Sequence, residues 1–202
     1  HAMSVDETSS PGNAPMDDSV GQAILDACTV VACIAPHVHA ELHGSLVRLL
    51  DALVRITQNE HMVLRSAGAC CFSVLTKCIT DKAMHVLVER IVPMLGDSTL
   101  LHRQGAMEVI SRTVRVQDER LLPYVLFLVV PVLGRMNDSD ESVRLLATNT
   151  FAELVKLVPL IHGLPDPPNF SPALLARREE EKAFLSQLLD GSKVEPYKVP
   201  VE

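Results

Sequence analysis

Three histidines stand close together in the sequence and could bind a metal ion: His37, His39 and His43. His39 and His43 are four residues apart, so on a helix they would lie on one face, and such a pair can hold zinc. A zinc site needs three or four protein ligands, and the neighbouring sequence offers no clear third or fourth. We therefore interpret these residues as turn and surface histidines and predict no metal site.

The five cysteines indicate packing rather than chemistry. They lie in apolar, helix-like stretches and form no Cys-x-x-Cys pair: Cys28, Cys33, Cys70, Cys71 and Cys78. Reduced cysteine is a small apolar residue that suits a protein core, whereas metal and redox sites usually show paired cysteines. We expect reduced thiols inside an intracellular protein.

Sequence motifs for catalysis are missing from this chain. No G-x-x-x-x-G-K-[ST] phosphate-binding loop is present, and Gly105, Gly134 and Gly163 are isolated. The spacing also supports no Ser/His/Asp or Cys/His arrangement for nucleophilic catalysis. We predict that the chain itself is not an enzyme and has no catalytic, cofactor-binding or metal-binding residues.

Composition and charge restrict the classes of partner. The chain has 202 residues, of which 48% are hydrophobic, enough for a substantial core. A formal net charge of −7 argues against a general nucleic-acid surface, because neutralising phosphates requires clustered Lys and Arg. A basic protein surface is the charged partner we expect. No uncharged apolar run of membrane-spanning length is found, so neither a membrane partner nor a secretory signal is predicted.

Two helices predicted in residues 120–159 form the clearest structural unit, and the first of them is apolar nearly all round and should be buried. The apolar residues of the first recur every three or four positions: Leu122, Val125, Leu126, Val129 and Leu133. Those of the second do the same: Val143, Ala147, Phe151, Leu154 and Val158. In the polar break between them, Asp138 and Glu141 have the spacing of a capping box that starts the second helix. Such a hairpin needs a neighbouring hairpin to bury its apolar faces.

The chain supplies these neighbours, because it resembles itself at a period near 40 residues. When Arg65, Arg103 and Arg144 are aligned, a small residue follows three positions later in each segment. A large apolar residue follows seven positions later: Phe72, Ile110 and Phe151. Residues 91–96 match residues 129–134 independently. A period of about 40 residues built from helix pairs is typical of HEAT and armadillo repeats, so we predict an all-α solenoid.

The predicted solenoid has one leading helix, three helical hairpins and one C-terminal capping helix. The hairpins are expected at 41–57 with 62–79, 83–95 with 100–116, and 119–134 with 141–158. The predicted segments are a tag scar and disordered acidic linker (1–19), the HEAT-repeat solenoid (20–159), a Pro-rich coil (160–170), a capping helix (171–190) and an extended strap (191–202). Ser171 and Pro172 form a helix start. Within the capping helix, residues 177–182 are interpreted as a solvated face with an Arg177–Glu181 pair.

Several stretches resemble the end of the HEAT array of TATA-binding-protein-associated ATPases. These are Swi/Snf-type remodellers that remove TATA-binding protein from DNA. The similar stretches are residues 104–108, 124–136, 142–144, 164–168, 184–191 and 193–200. The resemblance covers about residues 85–202, and its most specific part is a Pro-rich loop, a leucine-rich helix and the sequence EPYKVP after a helical hairpin.

The resemblance implies a non-catalytic segment of a nuclear transcription regulator. In that family a HEAT array grips TATA-binding protein and is followed by a two-lobed ATPase that uses ATP and Mg²⁺ and engages DNA. This segment would join the two, with the ATPase domain following in cis. TATA-binding protein and DNA would be contacted by other parts of the protein. The alternative is a generic HEAT-repeat interaction scaffold, such as a transport receptor or a phosphatase subunit.

The capping helix and the strap are expected to couple the repeats to that ATPase. Phe184, Leu185 and Leu188 are predicted to pack against the hairpin of residues 119–158, because a terminal hairpin otherwise exposes an apolar side. The full set predicted for capping and coupling is Phe184, Leu185, Leu188, Lys193, Val194, Pro196 and Tyr197.

Overall fold

Helices form all the regular structure in residues 18–117, 119–157 and 170–191, the part of the chain that the computed structural model describes. The α-helices are α1 (Asp18–Ile34), α2 (His43–Ile56), α3 (Met62–Cys78), α4 (Thr80–Val86), α5 (Val92–Met94), α6 (Leu100–Val116), α7 (Val125–Arg135), α8 (Glu141–Leu157) and α9 (Pro172–Gly191). The predicted all-α class is confirmed. The predicted acidic linker, Pro-rich coil and strap fall largely on residues 1–17, 158–169 and 192–202, outside the described residues.

The inner layer of the fold is a stack of four helices in the order α1, α3, α6 and α8, in which each helix contacts the next. Each of the four is 17 residues long. The outer helices pack on this layer, α2 on α3, α5 on α6 and α7 on α8. We name α2–α3 the first hairpin, α4 to α6 the second and α7–α8 the third.

The aligned apolar positions lie where the repeat register places them. Phe72 and Ile110 are completely buried, and Phe151 is partly buried against the same core. The small residue of the first hairpin, Gly68, makes a close approach possible. A Cβ atom at Gly68 would lie 2.7 Å from the side chain of Ile56 on α2. Small residues therefore set the distance between the outer and inner layers.

The outer helix of the second hairpin is interrupted just before its proline. A π-helical turn, Leu87–Ile91, separates α4 from α5, and Pro93 lies in α5. Proline lacks an N–H and clashes with the carbonyl four residues earlier, and the wider π turn accommodates this conflict. The predicted kinked helix over 83–95 is thus a helix from Thr80 to Met94 in three parts.

The start of α8 differs from the prediction. The N–H of Val143 donates to Asp140 Oδ1 at 3.1 Å, so Asp140 is the capping residue. Asp138 Oδ1 instead accepts from the N–H of Asp140 at 3.0 Å. The predicted capping box of Asp138 and Glu141 is therefore wrong, because Asp138 is used within the turn and toward the neighbouring hairpin.

Helix α1 and the turn after it correct another expectation. The stretch Ser19–His37 is long and apolar enough to cross a membrane by length and composition, with a mean hydropathy of 1.5, although no such stretch was expected. In this fold α1 packs against α3 as the first member of the inner layer. Helices of a repeat stack carry apolar residues on more than one side, because they contact several neighbours.

Helix α9 packs against α7, and its described residues differ from the prediction at Phe184 and in residues 177–182. Its start is as expected, since the N–H of Leu174 donates to Ser171 Oγ at 3.4 Å. Phe184, which was predicted to pack on the third hairpin, is 44% exposed. Arg178 and Glu181 are buried instead, so residues 177–182 are not simply a solvated face. The predicted Arg177–Glu181 pair is present, with Nε 2.8 Å from Oε1.

Phe170 fixes the entry to α9. Its ring stacks on Phe127 with the ring centroids 5.3 Å apart, and it also contacts Tyr124 and His85 at 5.6 and 5.5 Å. Tyr124 in turn donates from its hydroxyl to Asp81 Oδ1 at 3.1 Å. Aromatic contacts of this kind stabilise beyond the area they bury. The chain therefore enters α9 from a fixed point beside α7.

Candidate functional site: a polar ladder across the repeats

The three aligned arginines make the same contacts inside their own hairpins. Arg65, Arg103 and Arg144 each occupy the fourth residue of an inner helix. In each case Nη1 donates to the carbonyl oxygens of the residues six and five positions earlier, at 2.8 to 3.0 Å. One guanidinium group thus donates hydrogen bonds to two carbonyl oxygens of the turn. These oxygens lie after the end of the outer helix, where no helical N–H is available to them. The guanidinium therefore determines the shape of the turn.

The first link between neighbouring hairpins runs through Gln104. Arg65 Nη2 donates to Gln104 Oε1 at 3.1 Å, from the first hairpin to the second. The amide nitrogen of Gln104 continues in the same direction, donating to Ser142 Oγ of the third hairpin at 3.2 Å. Gln104 therefore bridges three hairpins with one side chain.

The second link is an ion pair between Arg103 and Asp138. Arg103 Nε and Nη2 donate to Asp138 Oδ2 and Oδ1 at 2.9 and 3.2 Å. The Arg103 side chain is 10% exposed and that of Asp138 is 1% exposed. Bidentate pairs of this kind fix orientation as well as distance. Arg135 Nη1, 3.2 Å from Asp138 Oδ2, adds a second cation from within the third hairpin. We call these links, together with the three arginines, the polar ladder.

The carboxylates of the ladder turns are held in their charged form. Burial acts to raise the pKa of Asp138, but the Asp140 N–H and the Arg103 guanidinium outweigh it and hold the pKa below 3.8. In the equivalent turn of the second hairpin, Asp97 Oδ2 lies 2.9 Å from His102 Nδ1. This contact and the Thr99 N–H lower the pKa of Asp97 to about 2.

Backbone contact accompanies the ladder where α6 meets the first hairpin. A Cβ atom at Gly105 would lie 1.9 Å from the carbonyl oxygen of Thr57, which follows α2. Only glycine permits this approach. Arg112 adds a polar contact across the same boundary, with Nη2 2.7 Å from Ser66 Oγ. The joint between the first two hairpins is therefore close at both backbone and side-chain level.

The histidines considered as metal ligands do not share a helix face. His39 precedes a short 3₁₀ turn, Ala40–Leu42, and accepts from the N–H of Glu41, whereas His43 is the first residue of α2. His43 Nε2 lies 3.3 Å from the carbonyl oxygen of Val38. Among the described residues, no group of three or more His, Cys, Asp or Glu side chains is arranged to hold a metal ion.

The cysteines are divided between core and surface. Cys28 and Cys71 are buried at the contact of α1 with α3, as expected for small core residues. Burial raises the pKa of Cys71 to about 12, which keeps this thiol protonated and unreactive. Cys33 and Cys70 are exposed, so the expectation that all five are core residues was wrong for these two.

The residues predicted for capping and coupling are mostly outside what the structure describes. This holds for the side chains of Leu185 and Leu188 and for Lys193, Val194, Pro196 and Tyr197. The polar ladder, in contrast, was not predicted as a site, although its arginines had been used for alignment. A sequence signal for it exists, because an Asn or Asp stands six positions before each arginine: Asn59, Asp97 and Asp138.

Comparison with known proteins yields a family and a set of relatives. The family model described as stalled ribosome sensor GCN1-like, HEAT repeats, matches residues 25–161. The chain is 45% identical, over 99% of its length, to TATA-binding protein-associated factor mot1 of Aspergillus fumigatus. It is 40% identical over 91% of its length to human TATA-binding protein-associated factor 172, and 37% identical over 92% to MOT1 of Saccharomyces cerevisiae. The chain spans 10 to 11% of the length of these relatives.

Proposed function

Because this chain belongs to the HEAT-repeat family, we propose that it is a non-catalytic scaffold segment of an ATP-dependent transcription regulator. Its homologues, at 37 to 45% identity over nearly the whole chain, are TATA-binding-protein-associated factors. In this proposal the segment joins an array that holds TATA-binding protein to an ATPase that removes it from DNA. A nuclear location accompanies that role.

The observation that carries the mechanical part of the proposal is the ladder link between Arg103 and Asp138. Two hairpins held by a buried bidentate pair keep one relative orientation, and a stack of such joints transmits a displacement from one end to the other. A flexible connection would bend and would not transmit that displacement. The segment would therefore act as a rigid connection between the repeats that hold TATA-binding protein and the ATPase domain.

Catalysis and the binding of TATA-binding protein and DNA are assigned to other parts of the longer protein. ATP and Mg²⁺ would be bound by the ATPase domain in cis, and TATA-binding protein and DNA would be contacted outside this segment. The coupling role of Phe184, Leu185 and Leu188, and of the strap residues Lys193, Val194, Pro196 and Tyr197, is part of this proposal. Since Phe184 is exposed, it is accessible to the ATPase instead of being used within the cap.

The test uses the longer protein that carries this segment, with Arg103→Met at the ladder link. ATP hydrolysis and the ATP-driven release of TATA-binding protein from TATA-box DNA are measured on the same preparation. We expect fewer release events per ATP hydrolysed while the hydrolysis rate is maintained. Arg90→Met is the matched control, because Arg90 forms an exposed ion pair with Asp51 on the outer layer.

Two results would contradict the proposal. Unchanged release by Arg103→Met, although the same variant unfolds at lower urea concentration, would show that the joint does not transmit force. A longer protein with no effect on TATA-binding protein at all would favour the alternative, a generic HEAT-repeat scaffold for another partner.

A further inference from the structure

Two buried polar side chains at the end of α6 have no hydrogen-bond partner within the described residues. Thr113 is completely buried and Gln117 is 2% exposed. The Thr113 hydroxyl and both amide atoms of the Gln117 side chain, Oε1 and Nε2, lack a partner there. Gln117 directly follows α6, and its backbone N–H still donates to the carbonyl oxygen of Thr113 at 3.0 Å. Side chains four positions apart at this spacing are neighbours, so the two residues form one enclosed pair, the Thr113–Gln117 pair.

The first and third hairpins have apolar residues in the same register. Ten and fourteen positions after its aligned arginine, the first hairpin has Leu75 and Ile79, which are 0% and 7% exposed. The third hairpin has Leu154 at the first of these positions, and it is also completely buried. Threonine and glutamine are smaller than leucine and isoleucine, so the second hairpin combines polar groups with more room at a place that the first fills with apolar side chains.

Thr113 also differs from other threonines in the way its hydroxyl is used. Six other described threonines donate from the hydroxyl to a carbonyl oxygen three or four residues earlier, at 2.6 to 2.9 Å: Thr29, Thr57, Thr76, Thr80, Thr148 and Thr150. Thr113 lies inside α6 and makes no such bond. Its hydroxyl therefore needs a partner from outside its own helix.

A water molecule is the partner that fits these groups. A polar group buried without a partner opposes folding, because it gives up its hydrogen bonds to solvent. Exchanging the oxygen and nitrogen of the Gln117 amide would not help, since both atoms lack a partner. Globular proteins hold about one buried water per ~27 residues, typically with about three hydrogen bonds to groups of this kind. The threonine hydroxyl donates and accepts, and the amide does both with separate atoms.

We propose that the Thr113–Gln117 pair binds an internal water molecule, which bridges the Thr113 hydroxyl and the Gln117 amide. The site lies where α6 ends and the 3₁₀ turn Glu119–Tyr124 leads into α7, so the water holds the residue that closes α6. Helix α6 contacts α3 on one side and α8 on the other, so its burial does not depend on further repeats. The inference does not depend on the proposed function.

The direct test counts long-lived internal waters by magnetic relaxation dispersion of the water signal. The parent is compared with the double variant Thr113→Leu, Gln117→Ile, which introduces the residues of the first hairpin. The double variant should lose at least one long-lived water. Thr76→Val is the matched control, because Thr76 is also completely buried but donates within its own helix, to the carbonyl oxygen of Ser73 at 2.6 Å. This variant should keep the count of the parent.

A second measurement uses the single variant Thr113→Val, which keeps the shape of the side chain and removes the hydroxyl. If the water is bound, this variant loses a hydrogen bond, and its melting temperature should fall by about 2–4 °C. The nuclear Overhauser cross-peak between water and the amide protons of Gln117, expected in the parent, should weaken. Circular dichroism checks that every variant is folded.

Three results would overturn the proposal. One is an equal water count in the parent and the folded double variant. Another is a higher melting temperature of Thr113→Val without a cross-peak from water to Gln117 in the parent, which would mean that the pair is dry; this result decides the matter if the double variant does not fold. The last is a lower melting temperature of Thr113→Val with an unchanged water count, because the hydroxyl would then bond within α6.

Discussion

Arg103 and Asp138 form a bidentate ion pair that crosses from the second hairpin to the third, with N–O distances of 2.9 and 3.2 Å. The same guanidinium also holds two carbonyl oxygens of its own turn. One side chain therefore shapes a turn and joins two repeats. Removing it should affect both the stability of a hairpin and the angle between hairpins.

The first prediction concerns the loss of this arginine. Arg103→Met should lower the free energy of unfolding by about 3–5 kcal/mol, because it leaves the buried Asp138 carboxylate with Arg135 as its one cation and removes the donor to two carbonyl oxygens of the turn. Arg90→Met, which removes an exposed ion pair with Asp51, should cost at most about 1 kcal/mol. Urea unfolding followed by circular dichroism measures both. Equal effects of the two substitutions would show that burial of the Arg103 pair adds nothing.

The second prediction concerns pH. The pKa of Asp138 is lowered in the folded state from 3.8, so the charged form stabilises the fold. This contribution is complete above the unfolded pKa and is lost as pH falls from about 3.8 through the lower folded value. Urea unfolding at pH 7, 4 and 3 should therefore show a steeper loss for the parent than for Asp138→Asn. Parallel losses would indicate that other carboxylates govern the acid transition.

The third prediction compares two glycines in helices. Gly105→Ala should destabilise the protein by about 3 kcal/mol, because its methyl group would overlap the Thr57 carbonyl oxygen. Gly134→Ala has open space and lies in α7, so the better helix propensity of alanine should stabilise by about 0.5–1 kcal/mol. Melting temperatures should move in opposite directions. A shift of the same sign for both would contradict the close joint at Gly105.

The fourth prediction concerns two aligned phenylalanines. Phe72 is completely buried, so Phe72→Ala should cost about 3–5 kcal/mol. Phe151 holds the same register position but is only partly buried, and Phe151→Ala should cost roughly half as much. Urea unfolding of both variants checks the order. A larger loss at Phe151 would mean that the last inner helix is more enclosed than the fold indicates.

The fifth prediction concerns the attachment of α9. Phe170→Ala removes ring contacts with Phe127, Tyr124 and His85, and should weaken the docking of α9 by about 2 kcal/mol. Amide hydrogen exchange in residues 172–181 should then become faster, while exchange in α6 stays unchanged. Phe184→Ala is the control, since the exposed Phe184 should contribute within about 0.5 kcal/mol. Faster exchange in the control alone would place the anchor at Phe184.

The repeat architecture could be predicted because its causes are local and periodic. Helical spacing of apolar residues, small residues three positions after Arg65, Arg103 and Arg144, and the recurrence near 40 residues each reflect a contact within one repeat or with its neighbour. Such patterns can be recognised in the sequence without knowledge of the rest of the fold. The start of α9 at Ser171 and Pro172 was predictable for the same reason.

The tertiary structure alone decided which polar groups meet. Arg103 and Asp138 are 35 positions apart, and periodicity cannot show that Asp138 turns toward the neighbouring hairpin and leaves the helix cap to Asp140. Nor can it show that Phe184 is exposed while Arg178 and Glu181 are buried, because burial depends on the packing angle of α9 on α7. Hydrogen bonds and burial depend on distances between whole elements, and those distances are set only when the helices have stacked.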